Sequence, residues 1–148
     1  MSPAPAEQAG VSPESYLAGE RASQGKHELW RGEVFAMAGA SYVHNRIVCG
    51  PPAFYDATQD VLTNPAAVFE VLSESTERFD RGEKFVGYRS IPSLRECVLV
   101  SQHERRIEHY VRQPGGTWVL HEHEDEGAVT LACGGTLDLA VLYRDTGA

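Results

Sequence analysis

A carboxylate in the middle of a short apolar run constrains this chain more than any other feature. Residues 66–72 read Ala-Ala-Val-Phe-Glu-Val-Leu, a length and composition that suit a strand, with Glu70 near its centre. An acid placed there must be paired, bound to a cation or held in a cleft, because an isolated charge loses its hydration in an apolar setting. Beyond a polar link, Asp80, Lys84 and Tyr88 recur every four residues, which lines them up on one face of a helix. A strand acid facing a helix lysine is an arrangement that can do chemistry. Its plain structural reading is an ion pair that does none.

The remaining punctuation predicts a chain of short elements. Ser12-Pro13-Glu14-Ser15 reads as a helix start, with Ser12 as the cap and Pro13 in the first turn, and the helix runs to about Ala22. Residues 26–38 alternate around Arg31-Gly32, the pattern of a β-hairpin, and place Glu28 on its first strand. A helix over residues 40–48, capped by Ser41, would run abruptly into Cys49-Gly50-Pro51-Pro52, where neither helix nor strand continues. Asn64-Pro65 launches the Glu70 strand. The following helix starts near Thr76 or at Asp80, where Asp80 and Glu83 suit a capping box, and ends by Ile91-Pro92. Extended runs over 94–100, 105–112, 117–123 and 128–132 then predict a β-meander, with residues 137–142 as a last short strand.

Length suits one domain: 148 residues, 42% hydrophobic and 23% charged, with residues 1–11 as a loose tail and 12–148 as the folded part. No apolar run reaches the roughly 18 residues of a membrane helix, so the expectation is a cytoplasmic protein with no membrane partner. Cys49, Cys97 and Cys133 form no C-x-x-C pair and read as buried free thiols. The net charge of −8 is uneven, since eight of the thirteen Lys and Arg residues fall within residues 76–112. That concentration permits a local phosphate-facing surface without requiring one. His121 and His123 share a strand face, but no cysteine or acid accompanies them, His103 or His109 at ligand spacing, which argues against zinc.

Taken in order, Glu20, Lys26-His27-Glu28, the stretch Gly32 to Gly39, His44-Asn45, Glu70-Val71-Leu72-Ser73, Ser75-Thr76, Asp80-Arg81-Gly82-Glu83-Lys84, Tyr88 and Ile91-Pro92-Ser93-Leu94 form a specific series. The series resembles the Uma-type putative restriction endonucleases of the PD-(D/E)xK nuclease superfamily, from about residue 12 to residue 143. The resemblance implies an α/β class fold (an α+β mixed sheet) of restriction-endonuclease-like type, and Mg²⁺-dependent hydrolysis of DNA phosphodiester bonds. By the same resemblance Glu70 matches the metal-binding strand acid and Lys84 the lysine moved to the next helix, since Leu72 stands where the superfamily pattern has lysine. Asp80 and Tyr88 are accessory neighbours, and Glu28 is an acid of the first hairpin that completes the site. Family members also carry, between the His-Asn helix and the Asn-Pro turn, further strands and an aspartate that is the second metal ligand. Here Val48 runs straight into Cys49, so the resemblance implies an internal deletion, a partly truncated fold and a site lacking that aspartate. Asp56 and Asp60 match the loop after that strand and not the ligand. The alternative function is a degenerate, non-catalytic binding or structural domain, and a homodimer is the oligomer expected by analogy with nucleases that cut two strands.

Overall fold

The computed structural model describes residues 10–37, 52–74, 76–144 and 146. The chain divides into two compact units, Met1–Tyr42 and Val43–Ala148. The expected helix over residues 40–48, His44, Asn45, Ser75 and the Cys49-Gly50-Pro51 break lie outside the described residues.

In the first unit, helix α1 spans Pro13–Ala22, with the Ser12 hydroxyl accepting the Ser15 N–H at 3.2 Å as expected of a serine cap. Strands β1 (Lys26–Trp30) and β2 (Glu33–Met37) pair antiparallel as the predicted hairpin. Arg31 (φ 48°) and Gly32 (φ 84°) both turn left-handed, the backbone of a tight two-residue turn. Gly32 is also needed for space: a Cβ there would lie 2.8 Å from the Gly10 Cα, where the Val11 N–H donates to the Gly32 carbonyl.

The second unit is built on a four-stranded sheet in the order β3-β4-β5-β6: β3 (Ala67–Leu72), β4 (Glu96–Ser101), β5 (Arg106–Arg112) and β6 (Trp118–Glu124). The β3–β4 pair is parallel and the other two are antiparallel. A parallel pair needs a long crossover, and here its residues 77–89 are helical: α2 (Glu77–Phe79), a π-helical turn (Asp80–Lys84) and α3 (Phe85–Arg89). The architecture is a mixed α+β fold with a mixed sheet, as the sequence predicts, and agrees with the restriction-endonuclease-like type.

Period-two alternation gives the sheet two apolar faces. On one, Leu72, Cys97 and Leu99 pack with Phe85 of α3 and with Tyr88, Tyr110 and Trp118. On the other, Val98 and Ile107 pack with Val129, Leu131, Leu139 and Tyr143. The last three segments differ in part from expectation. β7 (Ala128–Thr130) pairs with β8 (Thr136–Asp138) in a separate two-stranded sheet, so the meander proper comprises β4, β5 and β6. Residues 137–142 do not form one strand: Asp138 caps a short helix α4 (Leu139–Leu142), its carboxylate accepting the Val141 N–H at 3.1 Å. Local capping chemistry overrides the apolar run.

Candidate active site

β3 brings Glu70 onto the helix-covered face of the sheet, and the crossover returns Asp80, Lys84 and Tyr88 to it. The Lys84 Nζ lies 2.9 Å from Glu70 Oε1 and 3.4 Å from an Asp80 carboxylate oxygen. The Tyr88 hydroxyl donates to the same Glu70 Oε1. The four-residue spacing read from the sequence therefore does place Lys84 and Tyr88 against the strand acid, with Asp80 in contact with Lys84. Asp80 and Lys84 are buried, whereas the Glu70 side chain keeps 17% of its exposure and Tyr88 is also partly exposed, so solvent reaches the cluster at Glu70 and Tyr88.

Asp80 is not the N-cap of the helix. The helix begins at Glu77, one turn earlier, with Thr76 at the cap position and its hydroxyl 2.8 Å from that of Ser73. Asp80 opens the π-helical turn and its carboxylate turns inward to Lys84. The wider turn presents neighbouring residues to different partners. Arg81 reaches the β5 carboxylate of Glu108 through two nitrogens, at 2.7 and 3.0 Å, and also Glu77 at 3.1 Å. Hydrogen bonding to Glu108 raises the Arg81 pKa above its ordinary value despite partial burial, so its charge is fixed.

Cys97, diagonal to Glu70 across the β3–β4 pair, has a thiol pushed up to about 12, first by burial and then by the negative charge of Glu70. Thiolate is the reactive form. The Cys97 peptide is therefore expected to stay unmodified after prolonged iodoacetamide treatment of native protein at pH 8 and to label fully in urea. Labelling in the native state at the rate of a free thiol would contradict this burial. Cys133 is half-exposed, contrary to the expectation of burial, because it sits on the turn between β7 and β8.

Glu28 lies on β1, in register with Phe35 of β2, in the first unit. Its neighbour His27 is held by Glu20, which accepts the His27 N–H at 3.0 Å and contacts the ring Nδ1 at 2.8 Å. Burial would raise the Glu20 carboxyl, but the His27 bonds and Lys26 outweigh it and leave the pKa lowered.

The basic segment is largely used inside the unit. Lys84, Arg81, Arg106 and Arg112 have internal partners; Arg106 meets Glu122 at 2.5 Å, and Arg112 donates to the carbonyls of Arg89, Ile91 and Pro92. The phosphate-facing surface that the sequence permits is smaller than its charge count.

A buried group on the opposite face escaped the sequence reading. Glu96 is fully buried and accepts from the N–H groups of Ala132 (2.9 Å) and Cys133 (3.1 Å), with the His109 Nε2 at 2.8 Å. The signal that could have shown it is an acid and a histidine, both at inward positions of consecutive strands.

Comparison with known proteins places the second unit. A family model described as Uma2, putative restriction endonuclease, matches residues 47–141. An uncharacterized protein of Synechocystis sp. (strain ATCC 27184 / PCC 6803 / Kazusa), sll1609, is 30% identical over 154 aligned residues, which cover 76% of this chain and 87% of that protein. A second uncharacterized protein of the same organism, slr1290, is 29% identical over 175 aligned residues, covering 90% of this chain and 92% of that protein. Since 76% of 148 residues is about 112 and 90% is about 133, roughly 40 aligned positions in each case have no residue in this chain. Both relatives thus carry sequence, within the aligned span, that this chain lacks.

Proposed function

Because the chain belongs to the Uma2 putative restriction endonuclease family, we propose that it is a nuclease acting on DNA phosphodiester bonds at the Glu70–Lys84 cluster. The observation that carries this reading is the Glu70 carboxylate, held on one oxygen by Lys84 and Tyr88 and reachable by solvent. Mg²⁺ is typically held by one or two carboxylates with waters and phosphate oxygens, and Glu70 would be one such carboxylate. When bound, the metal supplies polarisation of the phosphoryl group and a water of lowered pKa. Lys84 fixes the Glu70 carboxylate and places positive charge beside it, Tyr88 sets its orientation, and Asp80 is the second carboxylate in contact with the Lys84 ammonium.

A second reading, a domain of the same family that no longer cuts, rests on the roughly 40 aligned positions of both relatives that have no residue in this chain. Loss there of the second carboxylate that the family resemblance implies would leave Glu70 without its metal-binding partner, since Asp80 is buried in contact with Lys84.

Supercoiled plasmid separates the two. The intact chain is expected to nick it in Mg²⁺ or Mn²⁺ and not in EDTA, and Glu70→Ala is expected to lower the rate at least ~100-fold. No metal-dependent cleavage by the parent chain would sink the catalytic reading and leave the second. Equal cleavage by parent and Glu70→Ala would place any activity elsewhere.

A further inference from the structure

The helix-covered face of the sheet ends, away from Glu70, in a corner built around Arg112. Arg112 pairs across β5 and β6 with Trp118, and its guanidinium stacks on the indole, 4.9 Å from the ring centre. Trp118 packs edge-on against Phe85 of α3, and the Arg89 guanidinium lies 5.3 Å from the centre of that phenyl ring. On the other side of Arg112, its backbone N–H donates to the Arg95 carbonyl at 2.8 Å, which extends the β4–β5 pairing by one residue. Glu96 points to the opposite face, so by strand alternation Arg95 takes the face of Arg112. Three arginines, from a helix end, a loop and a strand, thus meet at one corner of the second unit.

Two features suit this corner to an anion. A helix end exposes carbonyls whose partial negative charge repels a phosphate. Here the carbonyls of Arg89, Ile91 and Pro92 are taken by Arg112, at 2.6 to 3.2 Å, so the end of α3 presents cation in place of carbonyl oxygen. Arg89 and Arg95 are exposed, and among the described residues neither meets a carboxylate, whereas Arg81 and Arg106 each do. Stacking on Phe85 restrains the Arg89 side chain while leaving its N–H donors open to a ligand. The net charge of −8 makes such a corner directional: a polyanion is repelled by most of the surface and oriented here.

We propose, on the reading of DNA as the substrate, that Arg89 and Arg95 bind backbone phosphates of a duplex and dock it on the face that carries Glu70. Ala66, whose carbonyl accepts the Arg95 N–H, stands four residues before Glu70, a separation of roughly 13 Å at about 3.3 Å per residue of strand. Successive phosphates rise about 3.4 Å along one strand of a duplex, so the corner stands about four nucleotides from the Glu70 carboxylate. Contacts of this kind set register and carry no sequence information. Guanidinium groups suit the task because their planar fork matches two phosphate oxygens.

A fluorescently labelled DNA duplex, followed by anisotropy in EDTA over a series of salt concentrations, reads binding with no cleavage. The parent chain is expected to bind with log K falling linearly against log salt. Arg89→Ala and Arg95→Ala should each weaken binding about 3–10-fold at low salt and reduce the salt slope by about 1, and the double variant should reduce it by about 2. Both positions are exposed, so these variants should keep the parent's circular dichroism and thermal midpoint. Arg144→Ala, the same loss of charge just beyond α4 on the other side of the sheet, should leave the slope as it is. No salt-dependent duplex binding by the parent would overturn the inference, as would an unchanged slope in the folded double variant or an equal fall in Arg144→Ala. Duplex binding of the expected pattern without metal-dependent nicking would leave the corner standing and sink the catalytic reading. Nicking by a parent whose duplex affinity ignores Arg89 and Arg95 would do the reverse.

Discussion

Lys84→Met is expected to destabilise the protein by about 3–5 kcal/mol in urea unfolding at neutral pH, because it removes a buried cation shared by two carboxylates. The Nζ lies 2.9 Å from Glu70 and 3.4 Å from Asp80, and methionine fills similar volume without charge. Asp80, itself buried, is then left beside another acid in an apolar setting. Glu70→Gln should cost less, about 1.5–3 kcal/mol, since Lys84 keeps Asp80 and a glutamine oxygen still accepts from Tyr88. The triple change Glu70→Gln, Asp80→Asn, Lys84→Met removes all three charges and should recover most of the loss, as replacement of buried ion pairs by neutral groups often does. The ordering of the three variants is the test. If Lys84→Met is no worse than Glu70→Gln, the lysine is not the shared neutraliser. The same series bears on function, because an ion pair kept only for structure predicts that the neutral triple variant is well folded, whatever its cleavage does.

What could be read in advance depended on how local each contact is. Glu70, Lys84 and Tyr88 were legible because a period-two strand and a four-residue helix spacing carry directional information over 18 residues. Asp80 falls on the right face, but its Asp-x-x-Glu spacing suits a capping box and serves equally well inside a helix that begins a turn earlier, at Glu77. The hairpin at Arg31-Gly32 and the Ser12 cap were legible for the same local reason. By contrast Glu96, His109 and the turn at Ala132 and Cys133 are separated by 13 to 37 residues, and their meeting depends on the register of β4 with β5 and on where β7 turns. Arg81 with Glu108 is the same case at 27 residues. Charge counting placed eight cations near the site, while only the sheet shows that several answer carboxylates or helix-end carbonyls within the unit. The interruption expected between Val48 and Cys49 is a different kind of signal, a clash between helix and turn chemistry in the sequence.

Glu96 should govern the acid limit of stability. Its carboxyl falls from the ordinary 4.5 to about 2 in the folded state, burial being outweighed by His109, the Cys133 thiol and two backbone N–H groups. A depressed folded pKa means that the unfolded chain binds the proton first. The stabilisation is therefore complete above pH 4.5 and is lost as pH falls towards 2. Two and a half pH units correspond to about 3 kcal/mol, lost at about 1.4 kcal/mol per pH unit across that window. Glu96→Gln, measured by urea unfolding in chelator-containing buffer, should be less stable than the parent by about 3 kcal/mol at pH 7. That gap should narrow steadily below pH 4.5. A gap that stays constant between pH 5 and pH 3 would show that Glu96 is not the titrating group. The reason the effect is large is positional: the carboxylate joins β4 to β5 through His109 and to the turn after β7 through Ala132 and Cys133. Protonation loosens the layer formed by β7, β8 and α4 from the sheet, so hydrogen exchange in residues 128–138 should accelerate before the β4–β5 ladder does.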